Sequence, residues 1–261
     1  MIGTHLILPV FYRRMQNARA TLLSFASLGL IACGGGFKPE NYPDPVNLFD
    51  VSELMYREGD CGDAIEGFRQ VTFSVPPRDS TALRARFMMA ECHLRQSEFL
   101  EAARQFQRIA DEAPASRLAP NALLRAGDAY ARLWKAPQLD PTYGESAMNT
   151  YREVTTRFPG TTAARRAGFR TLELNEWFAR KEFDNGDLYL RWKAYDSAIL
   201  YYKNVVALYG QTSYAPRALL RLVQIYERLE YETERADMCQ HLRDFYADVE
   251  GVESRCPTEA P

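Results

Sequence analysis

Cysteine is the residue type in this sequence that is best placed to do chemistry. Five cysteines are present, Cys33, Cys61, Cys92, Cys239 and Cys256. Cys256 lies in a polar tail beyond the last helical segment, so a disulfide to Cys239 would fasten that tail without distorting a helix. The alternative is that the four cysteines after Cys33 stay free and mostly buried, as small hydrophobic residues. Their spacings fit no zinc-binding pattern.

Cys33 ends a segment with the order of a secretion signal. Three arginines lie within residues 13–19, and a mostly apolar run of 13 residues, 20–32, follows. That length suits a signal peptide and is too short to span a bilayer. Small Ala32 fits the peptidase subsite before Cys33, so cleavage between Ala32 and Cys33 is expected. The pattern is typical of bacterial lipoproteins, whose cysteine carries a covalent diacylglycerol and an N-acyl chain. The alternative is an ordinary secretion signal with an incidental cysteine.

The signal divides the chain into segments. We predict a signal peptide over residues 1–32, with Met15 as the alternative start of translation. A lipidated flexible tether follows over residues 33–45 and begins with three glycines. A helical array is predicted over residues 46–249, and a polar C-terminal tail over residues 250–261.

Charge and composition disfavour some classes of function. Residues 1–32 carry three arginines and no acidic residue, so their removal changes the net charge from −2 to −5. A mildly acidic protein outside the cytoplasm is a poor nucleic-acid binder, so no nucleic-acid partner is expected. The sequence shows no second apolar run of membrane-spanning length, and we expect the lipid to be the stable attachment.

The spacing of histidines and carboxylates predicts no enzyme. His93 and His241 are the histidines after the signal, and neither belongs to an HExxH pattern. His93 occupies a repeat position that tyrosines fill elsewhere, which favours a packing role. The glutamates between residues 227 and 234 fall on a helix face that is expected to be solvated. We therefore expect no catalytic residues, no metal and no cofactor other than the lipid.

An internal repeat predicts the fold. Each unit places a small residue and then an aromatic, an alanine, a second aromatic and an aliphatic residue in the same order. The clearest copies contain Ala90, Phe99, Ala102, Phe106 and Ile109; Gly127, Tyr130, Ala147, Tyr151 and Val154; and Gly186, Tyr195, Ala198, Tyr202 and Val205. A weaker copy precedes them and a fifth begins at Ala218. The small residue lets a second helix approach closely, and each helix pair needs a neighbour to cover its apolar face.

This pattern resembles the tetratricopeptide repeat. It predicts an all-α fold, a tetratricopeptide-repeat solenoid of about five helix pairs; the alternative is an irregular helical bundle. Two departures from regularity stand out. The third unit contains extra residues 133–143, which are rich in turn formers. Residues 162–191 contain no proline and predict either one long helix or two helices with a bend near Gly186.

The first helix of each pair is expected to line a concave surface. The residues predicted to face it are Phe87, Glu91 and Arg95 in the second unit and Leu124, Asp128 and Arg132 in the third. Alternating aromatic, acidic and basic groups suit an extended peptide. The alternative is that these are solvated polar positions with no ligand.

Together, the lipoprotein signal, the proline-containing tether and five repeats resemble the family of the outer membrane protein assembly factor BamD. Two segments carry the resemblance most clearly. They are the third-unit loop APQLDPTY at 136–143, which leads on to RFPGT at 157–161, and the segment at 179–198 that opens the fourth unit. Gly210, where other units have proline, and a degenerate first unit depart from the pattern.

The resemblance implies a non-enzymatic protein of the β-barrel assembly machine, lipid-anchored on the periplasmic face of the outer membrane. Gly34 after Cys33, where aspartate would resemble an inner-membrane retention signal, agrees with that location. The implied partners are the barrel insertase, which would bind the later repeats, accessory lipoproteins, and unfolded outer membrane proteins, which would bind the earlier repeats. The alternative is a repeat lipoprotein that acts as a secretin pilotin or as a peptidoglycan and cell-envelope coordinator.

Overall fold

Paired helices form the whole of the array in the computed structural model, which describes residues 36–257. Ala32 and Cys33 lie outside the described residues. The helices belong to a compact unit that begins at Pro39. They are α1 (Pro45–Glu58), α2 (Cys61–Ser74), α3 (Ser80–Arg95), α4 (Phe99–Glu112), α5 (Ala119–Leu133), α6 (Thr142–Arg157), α7 (Thr162–Arg191), α8 (Tyr195–Leu208), α9 (Tyr214–Leu229), α10 (Glu232–Phe245) and α11 (Val252–Arg255).

Helices α1 to α10 form five consecutive pairs, and each helix packs against its neighbours in sequence. No β-strand occurs between residues 36 and 257. The predicted all-α tetratricopeptide-repeat solenoid of about five pairs is therefore confirmed. A short 3-10 helix (Pro39–Asn41) lies within the segment predicted as a tether, and α1 begins at Pro45. No helix in the described part of the chain has the length and apolar character needed to cross a membrane.

Side-chain caps set the starts of several helices. The Asp44 carboxylate accepts a hydrogen bond from the backbone N–H of Asn47, and Asp60 and Asp79 cap α2 and α3 in the same way. Such caps satisfy backbone N–H groups that have no partner within the helix. At the other end of α1, Gly59 adopts a left-handed conformation with φ of 92°, which glycine reaches at little cost.

The repeated small and aromatic residues lie where the helices of a pair cross. Ala102, Ala147 and Ala198 are fully buried, and so are the aromatic rings four residues further on in each unit. At two crossings the ring comes so close that only glycine fits opposite it. A Cβ atom at Gly127 would lie 2.5 Å from the Tyr151 ring, and one at Gly186 would lie 2.6 Å from the ring of Tyr202.

The long segment 162–191 forms the single helix α7. Its first half packs on α5 and α6, and its second half contributes to a cluster with α8 and α9. Gly186 lies inside this helix, where the ring of Tyr202 occupies the space that a side chain would need. One helix therefore joins the third pair to the fourth and fifth pairs.

Trp134 anchors the loop between α5 and α6. Its side chain is buried, with ring centroids 4.6 Å from Phe178 and 5.6 Å from Trp177. Gly144 at the start of α6 leaves room for it, since a Cβ atom there would overlap the indole. The extra residues of the third unit are thus fixed against α7.

A disulfide joins Cys239 in α10 to Cys256, with 5.3 Å between their Cα atoms. Cys61 and Cys92 are free and buried. The disulfide and Val252 belong to one hydrophobic cluster with α9 and α10. Val252 and Cys256 of the predicted polar tail are therefore packed on the last helix pair.

Candidate functional site

A series of acid–arginine pairs connects the first helices of successive pairs. The acidic residue comes directly after the small residue of each repeat, and the arginine comes from the first helix of the next pair. The shortest N–O distances are 3.8 Å for Glu53–Arg84, 2.5 Å for Glu91–Arg125, 3.2 Å for Asp128–Arg170 and 3.2 Å for Asp187–Arg221. In α9 the corresponding residue is Gln224, which accepts a hydrogen bond from Arg221.

The Glu91–Arg125 pair has the best geometry of the four. Two guanidinium nitrogens of Arg125 donate to the two carboxylate oxygens of Glu91, at 2.7 and 2.5 Å. Hydrogen bonding to Glu91 raises the pKa of Arg125. Two parallel bonds between a planar guanidinium and a carboxylate fix orientation as well as distance. The pair therefore sets the register between α3 and α5.

Asp128 is the centre of the largest cluster in the series. Its carboxylate accepts a hydrogen bond from the Tyr151 hydroxyl at 3.0 Å, and it lies 3.2 Å from Arg170 and 3.6 Å from Arg125. Burial, followed by the negative charge of Asp128, raises the pKa of Tyr151. The hydroxyl therefore keeps its proton and acts as a donor. One carboxylate thus holds α5, α6 and α7 together.

The same arrangement recurs one unit later. The Tyr202 hydroxyl donates to Asp187 at 2.6 Å, and Arg221 approaches the same carboxylate. Both acidic residues follow a glycine that the tyrosine ring covers. A Gly-Asp dipeptide in the first helix and a tyrosine in the second are therefore one structural unit, used twice.

A cleft of about 290 Å³ opens beside Asp128, between α5, α6 and α7. Its lining residues are Arg125, Asp128, Ala131, Arg132, Tyr151, Arg170, Glu173, Leu174 and Trp177. Charged side chains of α5 and α7 line part of the cleft, and Leu174 and Trp177 of α7 contribute apolar surface to it. Trp177 keeps 37% of its surface exposed. The cleft can therefore contact both a charged group and an apolar side chain.

Two of the six predicted groove residues line this cleft, Asp128 and Arg132. Leu124 was expected to face the groove, but it is 1% exposed and packs in the hydrophobic cluster that contains Tyr151. The side of α5 that carries Leu124 is covered by the neighbouring helices. The prediction for Leu124 is therefore wrong.

The three predicted residues of the second unit lie on α3 and make contacts within the protein. Phe87 is half-buried, with its ring 5.1 Å from that of Phe106. Glu91 is paired with Arg125. Arg95 is exposed, and its guanidinium lies 3.7 Å from the centre of the Tyr56 ring. These residues are near the first two pairs and outside the cleft.

Sequence reasoning missed Arg125, Arg170, Glu173 and Trp177. A signal was present for Arg125, because it occupies the same repeat position as Arg221. The other three lie between residues 170 and 177 of α7, a segment that has no counterpart in the other units and therefore no repeat register. Their role depends on how α7 is placed against α5.

The histidine singled out in the sequence has a structural contact. His93 is buried, and its Nδ1 lies 2.6 Å from a carboxylate oxygen of Glu98 in the turn between α3 and α4. Between residues 36 and 257, no group of three or more His, Cys, Asp or Glu residues is arranged to hold a metal ion.

Comparison with solved structures returns repeat proteins of low similarity. A putative kinesin light chain of Podosopora anserina, with nearly identical TPR-like repeats, is 10% identical with a TM-score of 0.39, covering 83% of this chain and 100% of that one. PilF of Pseudomonas aeruginosa is 13% identical with a TM-score of 0.37, covering 81% of each chain. The fold assignment rests on the five helix pairs themselves.

Comparison of sequences places the chain in a family. The outer membrane protein assembly factor BamD of Caulobacter vibrioides is 27% identical over 224 residues, which are 84% of this chain and 72% of that protein. The model of the YfiO family, described as outer membrane lipoprotein, matches residues 43–242. Because that match covers almost the entire helical array, this chain belongs to the YfiO family of outer membrane lipoproteins.

Proposed function

We propose that this lipoprotein is a non-enzymatic scaffold for the assembly of β-barrel proteins into the outer membrane. The observation that carries the proposal is the 27% identity to an outer membrane protein assembly factor over 72% of that factor's length. After cleavage of the signal peptide over residues 1–32, lipid on Cys33 would hold the array at the periplasmic face. A tether from residue 33 to the start of α1 at Pro45 would keep it near the membrane.

In this proposal the two ends of the array have different partners. The later pairs bind the barrel insertase and accessory lipoproteins, and the earlier pairs receive unfolded barrel precursors. This division follows the family resemblance. It is supported by the continuity of α7, because this helix belongs to the fourth pair and also packs on the third and fifth pairs, which fixes these pairs relative to one another.

The cleft beside Asp128 is the part of the array that we assign to an extended peptide. Arg125 and Arg170 are engaged by Glu91, Asp128 and Glu173. Arg132 is exposed and packs over the Phe99 ring at 5.7 Å. Among the described residues, no carboxylate lies within ion-pairing distance of Arg132, which leaves its charge available to an acidic group of the peptide. The apolar surface of Trp177 would contact a neighbouring apolar side chain.

Affinity purification from detergent-solubilised membranes tests the proposal. The full chain is expected to co-purify with a barrel insertase and, after crosslinking, with unfolded barrel precursors. Recovery of a secretin or a cell-wall synthase instead, with barrel levels unchanged, would contradict it and favour a pilotin or a peptidoglycan coordinator.

A pair of charge reversals tests the cleft separately. Arg132→Glu is expected to lower precursor crosslinking at least several-fold and to leave insertase recovery unchanged. Arg69→Glu makes the same charge change on the exposed face of α2, away from the cleft, and is expected to have no effect. Equal crosslinking by both variants would rule out the cleft as the peptide site.

A further inference from the structure

Two buried thiols meet at the boundary between the first and second helix pairs. Cys61 is the first residue of α2, and Cys92 lies in the last turn of α3. Arg95, which follows Cys92 by less than one turn, donates a 2.6 Å hydrogen bond to the carbonyl of Tyr56 near the end of α1, so the end of α3 lies beside the turn that leads to Cys61. The Cys61 thiol is close enough to contribute to the raised pKa of Cys92. Cys61 is 6% exposed and Cys92 is fully buried. Both are free thiols in the structure.

Helix packing places the two residues on facing elements, as a disulfide between them would require. Helices α2 and α3 pack against each other, and Cys61 starts one of them while Cys92 lies near the end of the other. Both side chains are buried at this end of the helix pair.

A disulfide is already formed at the other end of the array. Cys239 and Cys256 are joined there, and they fasten the last helical segment to the fifth pair. Terminal repeats have a neighbour on one side only, so they open more readily than internal repeats. The first pair needs such a fastening as much as the last pair does.

We propose that Cys61 and Cys92 form a second disulfide, which ties the first helix pair to the second. The family places the chain outside the cytoplasm, where disulfides form and persist. The oxidant is a thiol–disulfide oxidoreductase in its disulfide form, or a small-molecule disulfide. The two thiols lose two electrons and two protons to it. One S–S bond forms between Cys61 and Cys92, and the S–S bond of the oxidant is cleaved to two thiols.

The exposures of the two residues set the order of events. Cys61 keeps some solvent-accessible surface and therefore attacks the oxidant first, forming a mixed disulfide. Cys92 then displaces the sulfur of the oxidant from Cys61. Burial raises the pKa of the Cys92 thiol, so this second step is slow and benefits from transient opening of the interface. The closed loop spans residues 61–92 and includes α2 and most of α3.

Peptide mapping of the full chain tests this proposal. The purified protein is incubated with oxidised glutathione, its free thiols are alkylated, and it is digested without reductant for mass spectrometry. A peptide pair joined through Cys61 and Cys92, alongside the pair joined through Cys239 and Cys256, is expected. Complete alkylation of Cys61 and Cys92 while Cys239–Cys256 remains joined would overturn the proposal, as would crosslinks from Cys61 or Cys92 to any other cysteine.

Thermal unfolding gives a second readout. Closing a loop of this size is expected to raise the unfolding midpoint by about 5–10 °C. A Cys61→Ser, Cys92→Ser double variant keeps the C-terminal disulfide and should show no such rise on oxidation. An equal rise in that variant would assign the effect to other groups and contradict the proposal. The result does not depend on the proposed function, since neither thiol lines the cleft.

Discussion

The hydroxyl of Tyr151 donates a 3.0 Å hydrogen bond to the carboxylate of Asp128, while the same tyrosine ring covers Gly127. One side chain of α6 therefore both fills the crossing with α5 and orients the acidic group beside it. Asp128 also forms an ion pair with Arg170 of α7, at 3.2 Å. The packing of the third repeat and the chemistry of the cleft thus depend on the same contact.

Gly127→Ala is expected to destabilise the protein, because the added Cβ atom would lie 2.5 Å from the Tyr151 ring. Overpacking of this kind costs about 1–3 kcal/mol, partly offset by the better helix propensity of alanine. Urea unfolding measures the change. Gly168→Ala is the matched control, since it is also helical and a Cβ atom there meets nothing within 4 Å. Equal stability of the Gly127→Ala and Gly168→Ala variants would contradict the close contact between Gly127 and the Tyr151 ring.

Alkaline pH should weaken the array through its buried tyrosines. Burial and the adjacent carboxylates raise the pKa of Tyr151 and of Tyr202 above the unfolded value. The unfolded chain therefore loses these protons first, so stability is full below about pH 10 and falls above it, by about 1.4 kcal/mol per pH unit for each hydroxyl.

The double variant Tyr151→Phe, Tyr202→Phe tests whether these two hydroxyls cause the alkaline loss of stability. It should be less stable at neutral pH by about 0.5–1.5 kcal/mol for each lost hydrogen bond. Its stability should then fall less steeply than that of the unmodified chain above about pH 10. Chemical denaturation across this pH range measures both effects. An identical alkaline slope would show that other groups cause the loss.

Much of the fold was predictable because helix packing repeats. Ala102, Ala147 and Ala198 mark the crossings in the sequence, and each lies at a buried crossing in the structure. The sequence left two alternatives for residues 162–191, one helix or two helices with a bend near Gly186. The structure has one helix, and the glycine provides room for the ring of Tyr202 from the next helix. That information comes from packing between helices, which a local pattern does not contain.

Glu112→Ala should be far more damaging than removal of an exposed acidic residue. Arg86 is almost fully buried and donates to Glu112 at 2.5 Å, and Arg108 donates to the other carboxylate oxygen. Burial favours protonation of Glu112, but these hydrogen bonds prevail and lower its pKa. Loss of the carboxylate leaves the Arg86 charge unpaired in the core, at a cost of about 3 kcal/mol.

Glu66→Ala provides the comparison for that change. Glu66 pairs with Arg69 one turn away on α2, and both side chains are about half exposed. Such a surface pair contributes less than about 1 kcal/mol. Urea unfolding of the two variants should therefore separate them clearly, and similar losses of stability would argue against a buried role for Arg86.

Removal of the C-terminal disulfide should loosen the last segment selectively. Cys256→Ser is expected to cost about 2–4 kcal/mol. Hydrogen exchange should accelerate first at residues 252–257, because Val252 and Cys256 fasten α11 to α9 and α10. Exchange in α3 to α6 should change little. Uniform acceleration throughout the array would contradict a local role.

The candidate site was less predictable than the fold. Asp128 and Arg132 were identified because the repeat register indicates which face of a first helix is concave. Leu124 was misplaced, because a neighbouring helix covers its side of α5. Trp177 and Arg170 lie in the part of α7 that has no counterpart in the other repeats. Their approach to Asp128 therefore follows from three-dimensional packing alone.

Depletion of this protein in its own bacterium tests the central claim most directly. Folded β-barrel proteins in the outer membrane are measured by their heat-modifiable migration in gel electrophoresis. Samples are taken before depletion, after depletion, and after complementation with the full chain. An assembly scaffold predicts that folded barrels decline as the protein is lost and recover when it is restored. Barrel levels that stay unchanged through complete depletion would contradict a role in barrel assembly.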